Sequence, residues 1–243
     1  MNTELPPLIC YTHHKSFDIL PVYLGQVETH YPGRSFVLSD RLYGLRGRHG
    51  LLIYADHDPH YLQWLKALAD FPGDMFIHTL EDEILYGDVD TETIARYAKV
   101  LRASQSFGDG LRYSYIRLIK SGCVELGSTC IADNLYEVPL GPANFSMQAT
   151  IWWKPDYMAV MEAGQCKSVF DEPDYAEPAN EMGIRGLYHY AGEKQRGRRH
   201  TDSFVFPHMA TGINKGRFNS EYREEWEPLL KKYHLDSSKR GWL

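Results

Sequence analysis

Three consecutive carboxylates close an apolar segment in the first half of the chain, and this arrangement limits how the chain can fold. The segment 74–80 is short and follows Phe71-Pro72-Gly73, so it is typical of a buried central strand rather than a helix. Glu81, Asp82 and Glu83 come directly after it. Alternation along a strand predicts Glu81 and Glu83 on one side and Asp82 on the other.

Adjacent carboxylates repel one another and lose hydration when they are crowded. A buried strand that ends in three of them therefore favours a bound cation, and hard oxygen ligands suit Mg²⁺ or Mn²⁺. The alternative is an acidic turn that caps the next helix. We expect a metal site at this strand end, formed by Glu81, Asp82 and Glu83.

The composition is that of a globular protein without a membrane partner. A chain of 243 residues can bury a large core. The net charge of -6 argues against nonspecific nucleic-acid binding. The four cysteines show no C-x-x-C spacing, which indicates buried thiols in a reducing compartment. Nothing at the N-terminus resembles a signal peptide, and no apolar run approaches the roughly 20 residues of a membrane span, so we expect a cytoplasmic protein.

Strand and helix signals alternate through the first half. Apolar runs predict strands at 8–11, 35–39, 51–54 and 74–80, and helical spacing predicts helices that start near Asp18, Asp58 and Asp90. This βαββαβα order predicts an α/β fold with a mostly parallel central sheet flanked by helices on both faces. Ligands of such sheets lie outside the carboxyl ends of the strands. The residues expected there are Thr12 to Ser16, Asp40, Asp56 and Glu81 to Glu83.

The second half is less regular. The sequence predicts strands at 112–119 and 135–138, helices at 155–163 and 178–185, and a helical tail at 220–232. A hairpin is expected to pair 187–190 with 203–206 around a basic loop. No long linker separates the halves, so we expect a single domain over 1–243.

Several segments resemble a known family. The first strand ending in Thr12, the second ending in Asp40, and Leu80-Glu81-Asp82-Glu83 after the fourth resemble the nucleotide-sugar-binding half of GT-A fold glycosyltransferases. Ser146-x-Gln148-Ala149-x-Ile151-Trp152 and Glu177-x-Ala179-Asn180 resemble segments of uncharacterised viral and bacterial glycosyltransferases. The resemblance covers most of the chain. It implies a Rossmann-like GT-A domain in which residues 1–105 bind a nucleotide sugar and residues 106–243 bind the acceptor.

The resemblance also implies roles for individual residues. The family carries an Asp-x-Asp that holds a divalent metal on the sugar diphosphate, and this chain has Glu81-Asp82-Glu83 in its place, which implies Mn²⁺ or Mg²⁺ as cofactor. A histidine near the C-terminus completes the metal shell by analogy, and His208 is the natural candidate. The expected nucleotide and sugar contacts are Thr12, Asp40, Asp56, Gln148 and Lys215.

A second carboxylate-dense stretch, 171–181, offers a base for the acceptor. An inverting transfer needs a carboxylate or histidine within reach of the attacking hydroxyl. Glu177 precedes Pro178, the expected first helical residue, and Glu181 lies about one turn further on the same face. We expect Glu177 to be the base and Glu181 the second choice. The alternative is that both are first-turn acids favoured by the helix dipole.

The predicted function is a metal-dependent glycosyltransferase that moves a sugar from a nucleotide sugar to a hydroxyl of a glycan, a small molecule or a hydroxylated DNA base. A nucleic acid is a further candidate acceptor, because its phosphates could pair with Arg196, Arg198 and Arg199. The alternative is that these arginines form a charged surface exposed to solvent. A nucleotidyltransferase shares the sheet and carboxylate-held metals but would have a glycine-rich segment after the first strand, where Thr12 to Ser16 has no glycine. A noncatalytic carbohydrate- or protein-binding relative is the third possibility.

Overall fold

A large sheet forms the centre of the protein. The computed structural model describes residues 5–42, 44–45, 47–107, 112–120, 130–132, 134–196 and 200–243. Within these ranges the sheet has nine strands. They are β1 (Leu8–Tyr11), β2 (Ser35–Ser39), β3 (His49–Ile53), β4 (Met75–Leu80), β5 (Tyr115–Arg117), β6 (Cys130–Ala132), β7 (Leu135–Glu137), β8 (Thr150–Trp153) and β9 (Gly186–His189).

The strand order is β3-β2-β1-β4-β8-β5-β9-β7-β6. β1 to β4 run parallel to one another, and β8 runs antiparallel to both β4 and β5. β9 runs parallel to β5, and β7 runs antiparallel to β9 and β6. Among the described strands only β7 and β8 are therefore reversed, and the predicted mostly parallel sheet is confirmed.

Helices cover both faces of the sheet, as predicted. They are α1 (Leu20–His30), α2 (His60–Ala69), α3 (Thr91–Ser104), α4 (Lys154–Gly164), α5 (Ala176–Glu181) and α6 (Arg223–Lys232). α1, α3 and α6 contribute Leu20, Ile94 and Trp226 to one apolar core. α2 and α4 contribute Trp64 and Tyr157 to the core on the other face, where α5 also packs. No helix in the described ranges is long and apolar enough to cross a bilayer.

Local sequence explains where the helices of the first half lie. The apolar face that Leu20, Tyr23 and Val27 form along α1 is buried. Asp90 caps α3, since its carboxylate accepts a hydrogen bond from the Thr93 N–H at 3.0 Å. The predicted strands and helices of the first half are all present, with ends shifted by a few residues.

The second half differs from the prediction in its hairpins. The predicted pairing of 187–190 with 203–206 is wrong, because β9 pairs with β5 and β7 instead. Leu187 and Tyr188 are buried in the cores on the two faces of the sheet. Burial on both faces requires β9 to be an inner strand of the sheet. Two small hairpins lie outside it. They pair β10 (Gln195–Arg196) with β11 (His200–Thr201) and β12 (Ile213–Asn214) with β13 (Arg217–Phe218).

Two elements of the second half have bounds that the sequence did not predict. β8 forms where no strand was expected and fills the gap between β4 and β5. The helix expected at 178–185 spans Ala176–Glu181 and ends before Gly183, whose φ of 66° suits glycine.

Candidate functional site

The order of the strands defines a crevice outside their carboxyl ends. From β1 the chain moves to β2 and β3 on one side, and it then returns to β4 on the other side of β1. Ligands of open α/β sheets bind where the strand order reverses in this way, outside the carboxyl ends of the strands. We call the space outside the carboxyl ends of β1 and β4 the switch-point crevice. Thr12 to Ser16 and Glu81 to Glu83 follow these two strands directly.

The segment after β1 is fixed to the neighbouring strands. Thr12 is buried, and its N–H donates to the Leu38 carbonyl at 2.9 Å. Its own carbonyl accepts a hydrogen bond from the Tyr54 hydroxyl at 3.0 Å. Thr12 therefore lies at the crevice as the sequence predicts, with its main chain engaged by the ends of β2 and β3.

Asp40 gathers two histidines at the end of β2. One carboxylate oxygen accepts the His14 N–H at 2.7 Å, and the other lies 2.5 Å from His14 Nδ1. His13 Nε2 lies 3.8 Å from the Asp40 carboxylate and 3.1 Å from that of the exposed Asp56. Burial opposes ionisation of Asp40, but the hydrogen bonds from His14 and the proximity of His13 outweigh it and lower the pKa of Asp40.

The acidic residues after β4 take three different positions. The strand ends at Leu80, so strand alternation does not extend to the carboxylates. Glu83 is buried and folds back to accept the Leu80 N–H at 3.0 Å. Asp82 accepts the Ile213 N–H at 3.1 Å. Glu81 lies near Ser16 and Arg240.

Burial disfavours the ionised forms of Glu81 and Asp82. Burial raises the pKa of Glu81 above its usual value. Burial, together with the neighbouring Glu81 charge, raises the pKa of Asp82 to about 7. Such shifts mean that the ionised forms lack solvation, and a cation at this point would relieve the cost.

Arg240 is a residue of this site that the sequence did not reveal. Its guanidinium pairs with the Asp18 carboxylate at 2.7 and 2.5 Å, and this hydrogen-bonded pairing raises the pKa of Arg240, with Glu81 and Asp82 contributing. The helix expected to start near Asp18 has Ile19 as its N-cap residue. No local motif links Arg240 to residues so distant in sequence.

His208 and Lys215 lie near the end of the chain. Burial lowers the pKa of His208 to about 4, and its Nδ1 lies 2.6 Å from the Phe206 carbonyl. His208 Nε2 is buried without a hydrogen-bond partner among the described residues. Lys215 is exposed at the turn between β12 and β13.

The structure does not gather the expected metal ligands Glu81, Asp82, Glu83 and His208 at one point. In the described part of the chain, the group whose ligand atoms all lie within 4.8 Å of one another is His13, His14 and Asp40. The sequence signal for that group is a His-His pair directly after one strand and an aspartate directly after its neighbour.

Gln148 lies at the same edge as the acidic residues, because β8 runs antiparallel to β4 and Gln148 precedes it. Its side-chain amide contacts His200 Nδ1, and His200 Nε2 lies 3.0 Å from the Thr211 hydroxyl. The buried Gln148 Oε1 has no hydrogen-bond partner in the described ranges. Its predicted role as a sugar contact stays a prediction.

Glu177 and Glu181 lie on α5, and both are exposed. α5 packs against α4, on the face of the sheet that also holds α2. The neighbouring Asn180 accepts the Gly141 N–H at 3.0 Å and donates to the Gly141 carbonyl at 3.1 Å. The asparagine of the Glu-x-Ala-Asn segment thus fixes a loop, and the catalytic roles of Glu177 and Glu181 stay predictions.

Of the three arginines expected to meet a nucleic acid, the structure describes Arg196. Arg196 donates to Asp202 at 2.8 Å, to Glu225 at 2.5 Å and to the Glu221 carbonyl at 3.1 Å. Its charge is therefore committed within the protein. Arg198 and Arg199 lie outside the described residues.

Comparisons with known proteins identify the fold. No family model and no curated protein matches the chain. The structure is similar to UDP-glucose pyrophosphorylase complexed with UDP-glucose, with 8% identity, a TM-score of 0.51, and coverage of 95% of this chain and 98% of that one. This likeness and the strand order show a Rossmann-like α/β fold.

Two further solved structures are weaker matches. CMP:2-keto-3-deoxy-manno-octonic acid synthetase complexed with CTP has 10% identity and a TM-score of 0.41, with coverage of 75% of this chain and 88% of that one. The bifunctional IspDF from Campylobacter jejuni has 12% identity and a TM-score of 0.46, with coverage of 84% of this chain and 52% of that one. This chain thus spans about half the length of the IspDF chain.

Proposed function

We propose that the protein is a nucleotidyltransferase that binds a nucleoside triphosphate and a phosphorylated acceptor in the switch-point crevice. The observation that carries this proposal is the position of Glu81 and Asp82, two carboxylates directly after β4 at the switch point of the sheet, where burial raises the pKa of both groups. The fold that the chain shares with a pyrophosphorylase complexed with UDP-glucose supports it.

The residues fit Mg²⁺ or Mn²⁺ better as a pair than as the predicted set of four. Mg²⁺ is commonly held by one or two carboxylates together with substrate phosphates and water. Glu81 and Asp82 supply such carboxylates, whereas Glu83 is bonded to its own turn and His208 is buried. The ion would neutralise charge on the departing phosphate. In the reaction, an acceptor phosphate oxygen bonds to the α-phosphorus as the bond to the β-phosphate oxygen breaks, and pyrophosphate leaves.

Release of pyrophosphate tests this proposal. The protein is incubated with each nucleoside triphosphate, Mg²⁺ or Mn²⁺ and a panel of sugar 1-phosphates, and pyrophosphate is measured by a coupled assay. We expect Glu81→Gln and Asp82→Asn to reduce release by about 10²-fold or more, the scale of a lost electrostatic group in an active site. Glu162→Gln, at an exposed acid of α4, is the matched control. Equal release by parent and Glu81→Gln would contradict the assignment.

Glycosyl transfer is the second candidate, and the segment after β1 favours it. This segment has no glycine, and its amides are already engaged. The His14 N–H donates to Asp40, the Lys15 N–H to His13 Nδ1 and the Ser16 N–H to the His13 carbonyl. A triphosphate would find few free amides there. A nucleotide sugar would instead lose its nucleoside diphosphate as an acceptor hydroxyl attacks the sugar carbon.

A matched assay separates the two reactions. The protein is given UDP-glucose and other nucleotide sugars with hydroxyl acceptors, and release of nucleoside diphosphate is followed. If glycosyl transfer is the activity, Glu177→Gln should lower transfer by about 10²-fold while leaving donor binding intact, with Glu181→Gln as the comparison. Pyrophosphate release without diphosphate release would favour nucleotidyl transfer. Nucleotide binding with neither product would indicate the noncatalytic relative.

A further inference from the structure

One cluster at the same edge lies outside the proposed reaction. His13 and His14 follow β1, Asp40 follows the adjacent β2, and their ligand atoms lie within 4.8 Å of one another. The Asp40 side chain is 1% exposed, whereas those of His13 and His14 are 27% and 25% exposed. A buried carboxylate thus lies behind two imidazoles that solvent can reach. We infer that His13, His14 and Asp40 form a binding site for a transition-metal ion of the zinc class.

The distances are close to those that such an ion requires. Zinc bonds of about 2.0–2.2 Å place tetrahedral ligands about 3.4 Å apart. The Asp40 carboxylate lies 2.5 Å from His14 Nδ1 and 3.8 Å from His13 Nε2, on either side of that value. Adjustments of about 1 Å or less bring these two separations to that value. The ligand atoms of the two histidines lie within 4.8 Å of each other, so a comparable shift brings all three atoms to an ion. The ion takes the place of the hydrogen between His14 Nδ1 and Asp40, and the neutral imidazole then carries its hydrogen on Nε2.

The ligand types decide which metal fits. Imidazole nitrogen suits Zn²⁺, Co²⁺ and Ni²⁺, whereas Mg²⁺ prefers oxygen ligands throughout. This separates the cluster from Glu81 and Asp82, which offer only oxygen. Three protein ligands leave a coordination position open to water or to a substrate atom, as in catalytic rather than structural zinc sites.

The backbone holds the ligands in place. The His14 N–H donates to the second oxygen of Asp40 at 2.7 Å, which fixes the carboxylate orientation. The His13 and His14 rings lie close together, with centroids 4.1 Å apart. Asp56 lies 3.1 Å from His13 Nε2 on the exposed side and orients the ring until an ion binds.

Cobalt binding tests the site without any substrate, so its outcome is independent of the proposed reaction. The full chain is stripped with a chelator and titrated with Co²⁺ while the visible absorption of bound cobalt is recorded. The parent should bind Co²⁺, and His14→Gln and His13→Gln should each weaken binding by about 100-fold or more, above the usual loss for an outer-shell partner. His57→Gln removes an imidazole that is 88% exposed, and it should bind as the parent does.

A second variant distinguishes this site from the acidic pair. The double variant Glu81→Gln, Asp82→Asn should retain the cobalt absorption, because both residues lie outside the cluster. Circular dichroism of each variant confirms that the chain is folded. Absence of a cobalt signal in the parent would overturn the inference, and so would parent-like binding by folded His13→Gln and His14→Gln. Loss of the signal only in the acidic double variant would also overturn it.

Discussion

Gly212 lies where the acidic turn after β4 meets α6. Its N–H donates to the Asp82 carbonyl at 3.1 Å, and its carbonyl accepts the Trp226 indole N–H at 3.0 Å. A Cβ at this position would lie 2.5 Å from the Asp82 carbonyl oxygen and 3.1 Å from the Trp226 ring. The close approach of the two main chains therefore requires glycine.

We expect Gly212→Ala to lower the free energy of unfolding by about 1–3 kcal/mol, the usual cost of overpacking a close contact. Urea denaturation measures the change. Gly44→Ala is the control, because a Cβ there meets nothing within 4 Å. Equal denaturation midpoints for Gly212→Ala and the parent would show that the acidic turn can shift freely.

The buried imidazole of His60 makes the free energy of unfolding depend on pH. It is 1% exposed, and its Nε2 accepts the Trp64 indole N–H at 3.1 Å. Burial lowers the pKa of His60 from 6.5 to about 4. Because the unfolded chain takes up the proton first, His60 stabilises the fold above about pH 6.5, and this contribution is lost as the pH falls towards 4.

The pH dependence of unfolding checks this sign. Between about pH 7 and pH 4.5 the parent should lose roughly 2–3 kcal/mol more unfolding free energy than His60→Gln, which does not titrate there. His57→Gln, at an exposed imidazole, should keep the pH dependence of the parent. Identical pH profiles for parent and His60→Gln would contradict the assignment.

Single positions at the crevice show where sequence reasoning is strong and where it fails. Thr12, Asp40 and Glu81 were placed at one edge because a strand end is a local feature, and the sheet brings parallel strand ends together. The roles of Glu83 and Arg240 could not be predicted. Glu83 depends on how a turn closes on Leu80, and Arg240 reaches Asp18 only through the packing of the whole chain.

Arg196 joins the β10–β11 hairpin to α6. It pairs with Asp202 beside the hairpin and with Glu225 on the helix, and its guanidinium lies over the Tyr222 ring. The side chains of Arg196, Asp202 and Glu225 are 18%, 16% and 13% exposed. Removing the arginine would leave two poorly solvated carboxylates without a cationic partner, and the Tyr86 hydroxyl would still donate to Asp202 at 3.2 Å.

We therefore expect Arg196→Ala to lower the unfolding free energy by roughly 1–3 kcal/mol, less than for a fully buried pair because solvent screens part of the charge. Thermal and urea unfolding report it. The exposed pair of Arg102 with Asp74 is the comparison, and Arg102→Ala should cost less than about 1 kcal/mol. Similar losses for the two variants would show that Arg196 is an ordinary surface charge.

The difference between local and distant contacts also explains which strands and helices the sequence predicted. α1, α2 and α3 carry a helical apolar stripe, and β1 to β4 are short apolar runs, so periodicity predicted them. β8 was missed because its place is set by two partners, β4 and β5, that are distant in sequence. The predicted hairpin of 187–190 failed for the same reason, since burial of β9 on both faces is a tertiary property.

β8 also decides how the two halves of the molecule relate. It comes from the second half of the chain yet pairs directly with β4, and it lies between β4 and β5. Strands from the first half and from the second half of the chain thus form one continuous sheet. Gln148, just before β8, consequently lies at the same edge as Glu81 without any interdomain movement.

The position of a bound nucleotide can be tested at the scale of the whole molecule, because the sheet has two sets of strand ends. The switch-point crevice lies at the carboxyl ends of the strands. A cavity of about 170 Å³ lies at the amino ends, and its lining includes Pro7, Arg34 and Asp74. A nucleotide bound outside the carboxyl ends should slow amide hydrogen exchange in the segments 12–16 and 80–83. Exchange at 72–75, which lies at the amino ends of the strands, should not change.

Hydrogen exchange with UTP and with UDP-glucose, each in the presence of Mg²⁺, measures this pattern. The protection should grow with ligand concentration as the bound fraction rises, and it should weaken in Glu81→Gln if that carboxylate serves the ligand. Protection confined to 72–75 would place the nucleotide at the amino ends of the strands and would contradict binding in the switch-point crevice. Protection by UDP-glucose but not by UTP would favour glycosyl over nucleotidyl transfer, because the crevice would then select the activated sugar rather than the triphosphate.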